Sequence, residues 1–127
     1  MGQSENLIEE AIQYAKANGV RIVSGPVFNW CDHNLHCMSA TPIACNALGA
    51  VLLKLGKEHL VKESFDPGWL NVICKYLGVA DYWIMRFVLG FDYGNQVMII
   101  SMKGDKEIRI KDDISCIAIK LALKYKS

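Results

Sequence analysis

The chain has 127 residues, 52% hydrophobic and 21% charged, with fourteen Lys and Arg against thirteen Asp and Glu for a net charge of +1. That content suffices for one buried core across residues 1–127 and excludes a disordered chain, while the near-zero charge disfavours nucleic acid or an acidic membrane as partner. The longest apolar run, Ile43–Leu53, contains Asn46 and falls short of the roughly 20 residues that span a bilayer, and the acidic, polar N-terminus is no signal peptide, so a soluble cytoplasmic domain is expected.

Ser4 to Asn18 reads as the first helix. Ser4 is its N-cap, Glu5, Glu9 and Glu10 lie toward the positive end of the dipole, and Leu7, Ile8, Ala11, Ile12 and Ala15 form one stripe at helical spacing. Gly19 stops it. Val20–Ser24 suits a short extended piece, and Gly25–Ala40 shows no periodicity and reads as a long connecting loop. Thr41-Pro42 then opens a helix that runs to about Leu55, apolar on nearly every face. Asp66-Pro67 opens another, to about Leu77, closed by Gly78.

Ala80–Phe91 is a fourth helix, again apolar nearly all round. Asp92-Tyr93-Gly94-Asn95 is a turn signal. Gln96–Met102 favours a strand, Gly104-Asp105 turns it, and Glu107–Lys111 alternates with a period of two, which makes residues 96–111 a β-hairpin packed on the bundle. Asp112-Asp113 caps a last helix to about Tyr125. The expectation is a mainly α fold, a bundle of about five helices with one small hairpin, centred on the Ile43–Leu53 and Trp83–Phe91 helices. Three helices this apolar are hard to cover in so small a domain, and a symmetric homodimer covers them most economically.

Charge is unevenly placed. Asp32 is the only formal charge from Ile22 to Leu53, whereas Lys103–Ser127 holds seven basic and four acidic residues. The tail reads as a solvated face rather than a nucleic-acid patch.

Five cysteines, Cys31, Cys37, Cys45, Cys74 and Cys116, are an odd number, so reduced thiols are the default. Cys74 and Cys116 lie in apolar helical patterns and read as small core residues. Cys31, His33, His36, Cys37 and Cys45 gather thiol and imidazole, the ligands that suit zinc, around Asp32. Their spacing lacks a Cys-x2-Cys knuckle, and a zinc site, a local disulfide and plain inward packing all remain open. Cys45, placed near a helix start with His33, His36 or His59 as base, is a candidate thiol nucleophile for a small enzyme or redox protein.

Two further patterns stand out. Trp69–Gly90 has the outline of a helix-turn-helix, but its second helix offers a DNA duplex one arginine among Trp, Met and Phe. In the Gly90-Phe91-Asp92-Tyr93-Gly94-Asn95 segment, Asp92 and Asn95 are ligand or turn candidates; their oxygens are too few and wrongly spaced for an EF-hand. No Gly-rich phosphate loop, paired carboxylates or serine nucleophile motif is present.

The Cys45-Asn46-Ala47-Leu48-Gly49-Ala50-Val51-Leu52-Leu53 run, Leu77-Gly78-Val79 and Gly90-Phe91-Asp92 together resemble small uncharacterised bacterial or phage proteins. The resemblance covers under half of the chain and brings no activity and no functional residues with it. It implies a helical domain rather than a standard enzyme. The leading expectation is accordingly a non-enzymatic domain that binds a partner, most simply itself.

Overall fold

A computed structural model describes residues 2–30, 42–63 and 68–127. Those residues are mainly helical, with two small sheets. Helix α1 (Gly2–Ala17) buries Ser4, Ile8, Ala11, Ile12 and Ala15, the stripe expected from its periodicity. Ser4, expected as the N-cap, is corrected to the third residue of a helix that already begins at Gly2, and its hydroxyl donates to the Leu77 carbonyl at 3.1 Å, tying α1 to a distant helix.

After α1 the chain builds a three-stranded sheet of two-residue strands in the order β1-β3-β2. Strand β1 (Arg21–Ile22) runs parallel to β3 (Ala44–Cys45), and β2 (Phe28–Asn29) runs antiparallel to it. The expected helix from Thr41-Pro42 is therefore corrected at its start. Backbone groups of residues 43–46 are already engaged: Arg21 N–H donates to Ile43 O, Ile43 N–H to Asn29 O, Val23 N–H to Cys45 O and Asn46 N–H to Val27 O. A short apolar run does not itself choose between helix and strand, and here non-local pairing decides.

Helix α2 (Ala47–Lys54) begins one residue after the sheet ends. Asn46 is its N-cap, with Oδ1 accepting from Gly49 N–H at 2.9 Å. Gly49 sits where α2 lies against the sheet: a Cβ there would come within 2.1 Å of the Val27 carbonyl oxygen and 2.7 Å of the Cys45 Cβ. A short helix α3 (His59–Glu63), not expected from the sequence, leads toward α4 (Gly68–Leu77), which buries Ile73 and Leu77.

Helices α5 (Asp81–Tyr93) and α6 (Asp113–Tyr125) form the most extensive helix pair. Helix α5 buries Trp83, Ile84, Phe87, Gly90 and Phe91. The rings of Trp83, Phe87 and Phe91 stack at helical spacing, with centroids 5.4 and 5.7 Å apart. At the crossing point a Cβ on Gly90 would lie 2.5 Å from the Ser115 carbonyl oxygen and 2.9 Å from the Ala118 Cβ, so glycine sets the distance between the helices. Helix α6 also packs back on α1. The Tyr125 hydroxyl donates to Glu9 Oε2 at 2.6 Å, and Lys124 Nζ reaches the same oxygen at 2.9 Å. These two contacts hold the Glu9 carboxyl below its ordinary range.

Between α5 and α6 stands an antiparallel ribbon of β4 (Met98–Lys103) and β5 (Lys106–Lys111), where a hairpin was expected. Gly104, with φ of 65°, is the first residue of the two-residue turn, which suits a type II′ loop. The expected packing of this hairpin on the bundle is corrected, because every residue of both strands is exposed. Cys74 and Cys116 are likewise half-buried rather than core residues, each with its thiol donating, to Asp81 Oδ1 and Gln96 Oε1 respectively. No helix among the described residues is long and apolar enough to cross a membrane.

Replacing Gly90 with Ala is expected to lower stability by about 2 kcal/mol, the scale of overpacking a close helix contact. A urea titration checks this through a lowered midpoint at unchanged slope.

Candidate functional site

Three places on the described structure bring polar or reactive groups into specific contact, or leave apolar surface open. The first is the junction of the small sheet, α2 and the end of α5. Asn46, placed by the sheet-to-helix turn, sends its amide Nδ2 to the Gly25 carbonyl at 3.2 Å and to Asp92 Oδ2 at 3.3 Å, while its oxygen caps α2. The side chain is fully used, and it joins a loop, a helix start and a helix end. Asp92 Oδ1 is buried without a hydrogen-bond partner among the described residues. Burial pushes the Asp92 carboxyl up, against the opposing pull of the Asn46 amide, the Gly25 backbone and the Lys126 ammonium.

Cys45 lies next to this junction in the central strand of the sheet and is wholly buried. Burial pushes its thiol up to about 12. A nucleophilic or metal-binding cysteine needs the thiolate, and this environment opposes it. It also lies in strand β3, before α2, rather than in the first turn of a helix. The other expected metal ligands, Cys31, His33, His36 and Cys37, and Asp32 with them, lie outside the described residues. Among the described residues, no three His, Cys, Asp or Glu side chains gather as a metal site would require. His59 is exposed at the start of α3. Of the turn candidates, Asp92 joins the Asn46 junction, whereas Asn95 is exposed and acts through its backbone, donating N–H to the Leu89 carbonyl at 2.9 Å.

The second place is the root of the ribbon. Ser115, fully buried, accepts from Val97 N–H at 3.0 Å and from Gln96 Nε2 at 2.9 Å, and its hydroxyl donates to the Asp112 carbonyl. Asp112 caps α6 and pairs with Arg86 of α5 at 3.5 Å. Arg86, the one basic group of the helix-turn-helix outline's second helix, also lies over the Tyr82 ring at 4.9 Å. It is therefore held at this root by a carboxylate and an aromatic face.

The third place is apolar surface. Tyr82, Met85, Leu89 and Tyr93 form an exposed stripe along α5, opposite its buried aromatic ladder. Beside it lies a shallow groove lined by Leu48, Trp69, Leu70, Ile84, Met85 and Val88. The ribbon adds Met98, Ile99, Ile100, Met102, Ile108 and Ile110, each between 38% and 64% exposed. Its apolar character was legible in the sequence; its exposure was not. Asn46 was missed altogether as a junction residue, because it reads as one polar position inside an apolar helix. The available signal was its identity as a preferred N-cap two residues before Leu48.

Two measurements follow from the junction. A carboxyl raised by folding binds protons more readily in the folded than in the unfolded state, so its stabilising contribution is present in acid and is lost as pH rises. Wild-type stability should thus fall, relative to an Asp92→Asn variant, as pH climbs above the ordinary aspartate value of 3.8, and denaturant titrations from pH 4 to 7 read the difference. Iodoacetamide labelling at pH 8, located by peptide mass, should modify Cys45 at least about a thousand times more slowly than an unfolded thiol. No family model, curated protein or solved structure matches the chain, and its functional reading rests on this geometry.

Proposed function

We propose that this chain is a non-enzymatic domain that works by binding another protein surface, most simply a second copy of itself. The β4–β5 ribbon carries this reading. A two-stranded ribbon is marginal in water unless a third strand or a packed face supports it. Here six isoleucine and methionine side chains are each at least 38% exposed. The apolar stripe on α5 adds to the same demand. A closed two-fold dimer meets it with one self-complementary contact.

Light scattering across a dilution series tests the reading. The expected outcome is twice the chain mass at high micromolar concentration, with dissociation on dilution and little change between low and high salt, as an apolar contact requires. A strict monomer at high micromolar concentration overturns it.

A further inference from the structure

The two edges of the ribbon differ in chemistry. The Asp112 N–H donates to the Val97 carbonyl at 2.9 Å, which places Val97 opposite Asp112 in a hydrogen-bonded pair just below the ribbon. Antiparallel ladders alternate, so Ile99, Ser101 and Lys103 turn their backbone groups toward Ile110, Ile108 and Lys106. Met98, Ile100 and Met102 then turn theirs outward on the β4 edge. On the β5 edge the outward residues are Glu107, Arg109 and Lys111. The β5 edge thus carries the charged side chains that protect sheet edges from pairing, and the β4 edge carries none at these three positions.

We infer that β4 is the docking edge for β4 of a second copy, giving a four-stranded intermolecular sheet in the order β5-β4-β4-β5. This rests on the self-association reading above and names its surface. Antiparallel pairing about a two-fold axis at Ile100 sets Ile100 opposite Ile100 and Met98 opposite Met102 of the second copy. Met98, Ile100 and Met102 each aim free backbone groups across that seam and set an apolar side chain beside an apolar neighbour, while Ile99 of one copy lies opposite Ser101 of the other.

Charge permits this arrangement. Lys106, Glu107, Arg109 and Lys111 stay on the outer strands, and the two Lys103 side chains fall at opposite ends of the seam. Pairing sets Met98, Ile100 and Met102 of one copy beside their counterparts in the other. The same pairing brings Ile99, Ile108 and Ile110 of both copies onto one continuous face of the four-stranded sheet.

Proline at an outward position removes only an edge N–H and leaves the β4–β5 ladder intact. Ile100→Pro should weaken the dimer about 100-fold, through two lost hydrogen bonds and the contacts they position, whereas Arg109→Pro on the other edge should change it less than about threefold. Amide hydrogen exchange on the unaltered protein gives a second reading that needs no variant. Above the dissociation constant the Met98, Ile100 and Met102 amides should be protected at least about tenfold over those of Glu107, Arg109 and Lys111, and dilution should remove the difference. A dimer that keeps its affinity in Ile100→Pro, an equal loss in both proline variants, or protection confined to the β5 edge overturns the β4 seam while leaving self-association standing. A monomeric wild-type protein overturns both.

Discussion

Asn46 is the residue on which the rest of the described structure turns. Its backbone N–H closes the small sheet on Val27, its side-chain oxygen caps α2, and its amide reaches both Gly25 and Asp92. Three separate segments, the 25–27 loop, the start of α2 and the end of α5, are fixed by one side chain and its own backbone. The position is buried, and a buried amide group left without partners costs more than an ordinary hydrogen bond returns. The β3–α2 junction can therefore adopt few arrangements other than this one. The fit of Gly49 against Val27 and Cys45 goes with it, because α2 lies so close to the sheet there that a Cβ would meet the Val27 carbonyl oxygen.

Much of the helical part of the fold was legible. The stripe of α1, the aspartate cap of α6 and the Gly104-Asp105 turn all depend on contacts a few residues apart, which periodicity and capping rules capture. Of the sheet only β1 was, inside the extended piece expected over Val20–Ser24, because Phe28–Asn29 has no strand signal of its own. It becomes a strand only when Ala44–Cys45 arrives beside it, and Ala44–Cys45 sits inside a run that reads equally well as helix. The position of the ribbon was hidden for a different reason. Alternation identifies an apolar face, here Met98, Ile100 and Met102 with Ile99 on the other side, but it does not say whether the rest of the fold covers that face.

The candidate sites divide along the same line. Asp92 was singled out from a glycine-flanked motif, and it does meet a specific partner, but that partner was invisible because it comes from 46 positions earlier in the chain. Cys45 was singled out for its sulfur, and its surroundings oppose that chemistry. A small central strand needs small apolar side chains, and cysteine fills that need as well as alanine does. Residue type alone indicates which chemistry a side chain can perform; the water and charge around it determine whether it does. The apolar excess of α5 has a similar double meaning. One face holds the aromatic ladder, and the other meets solvent.

The hydrogen bond between Asp112 and Val97 has a consequence for the chain's modularity. Residues in such a pair lie about 5.5 Å apart at their Cα atoms, a gap that a two-residue turn closes. Everything from Met98 to Lys111 thus enters and leaves the body of the protein through one narrow gate, whose posts are held by Ser115 and Arg86. The ribbon is in effect an insertion. It can be lengthened, shortened or exchanged for another hairpin without disturbing the α5–α6 contact, which makes it the place where this scaffold tolerates change and where a foreign recognition loop can be grafted.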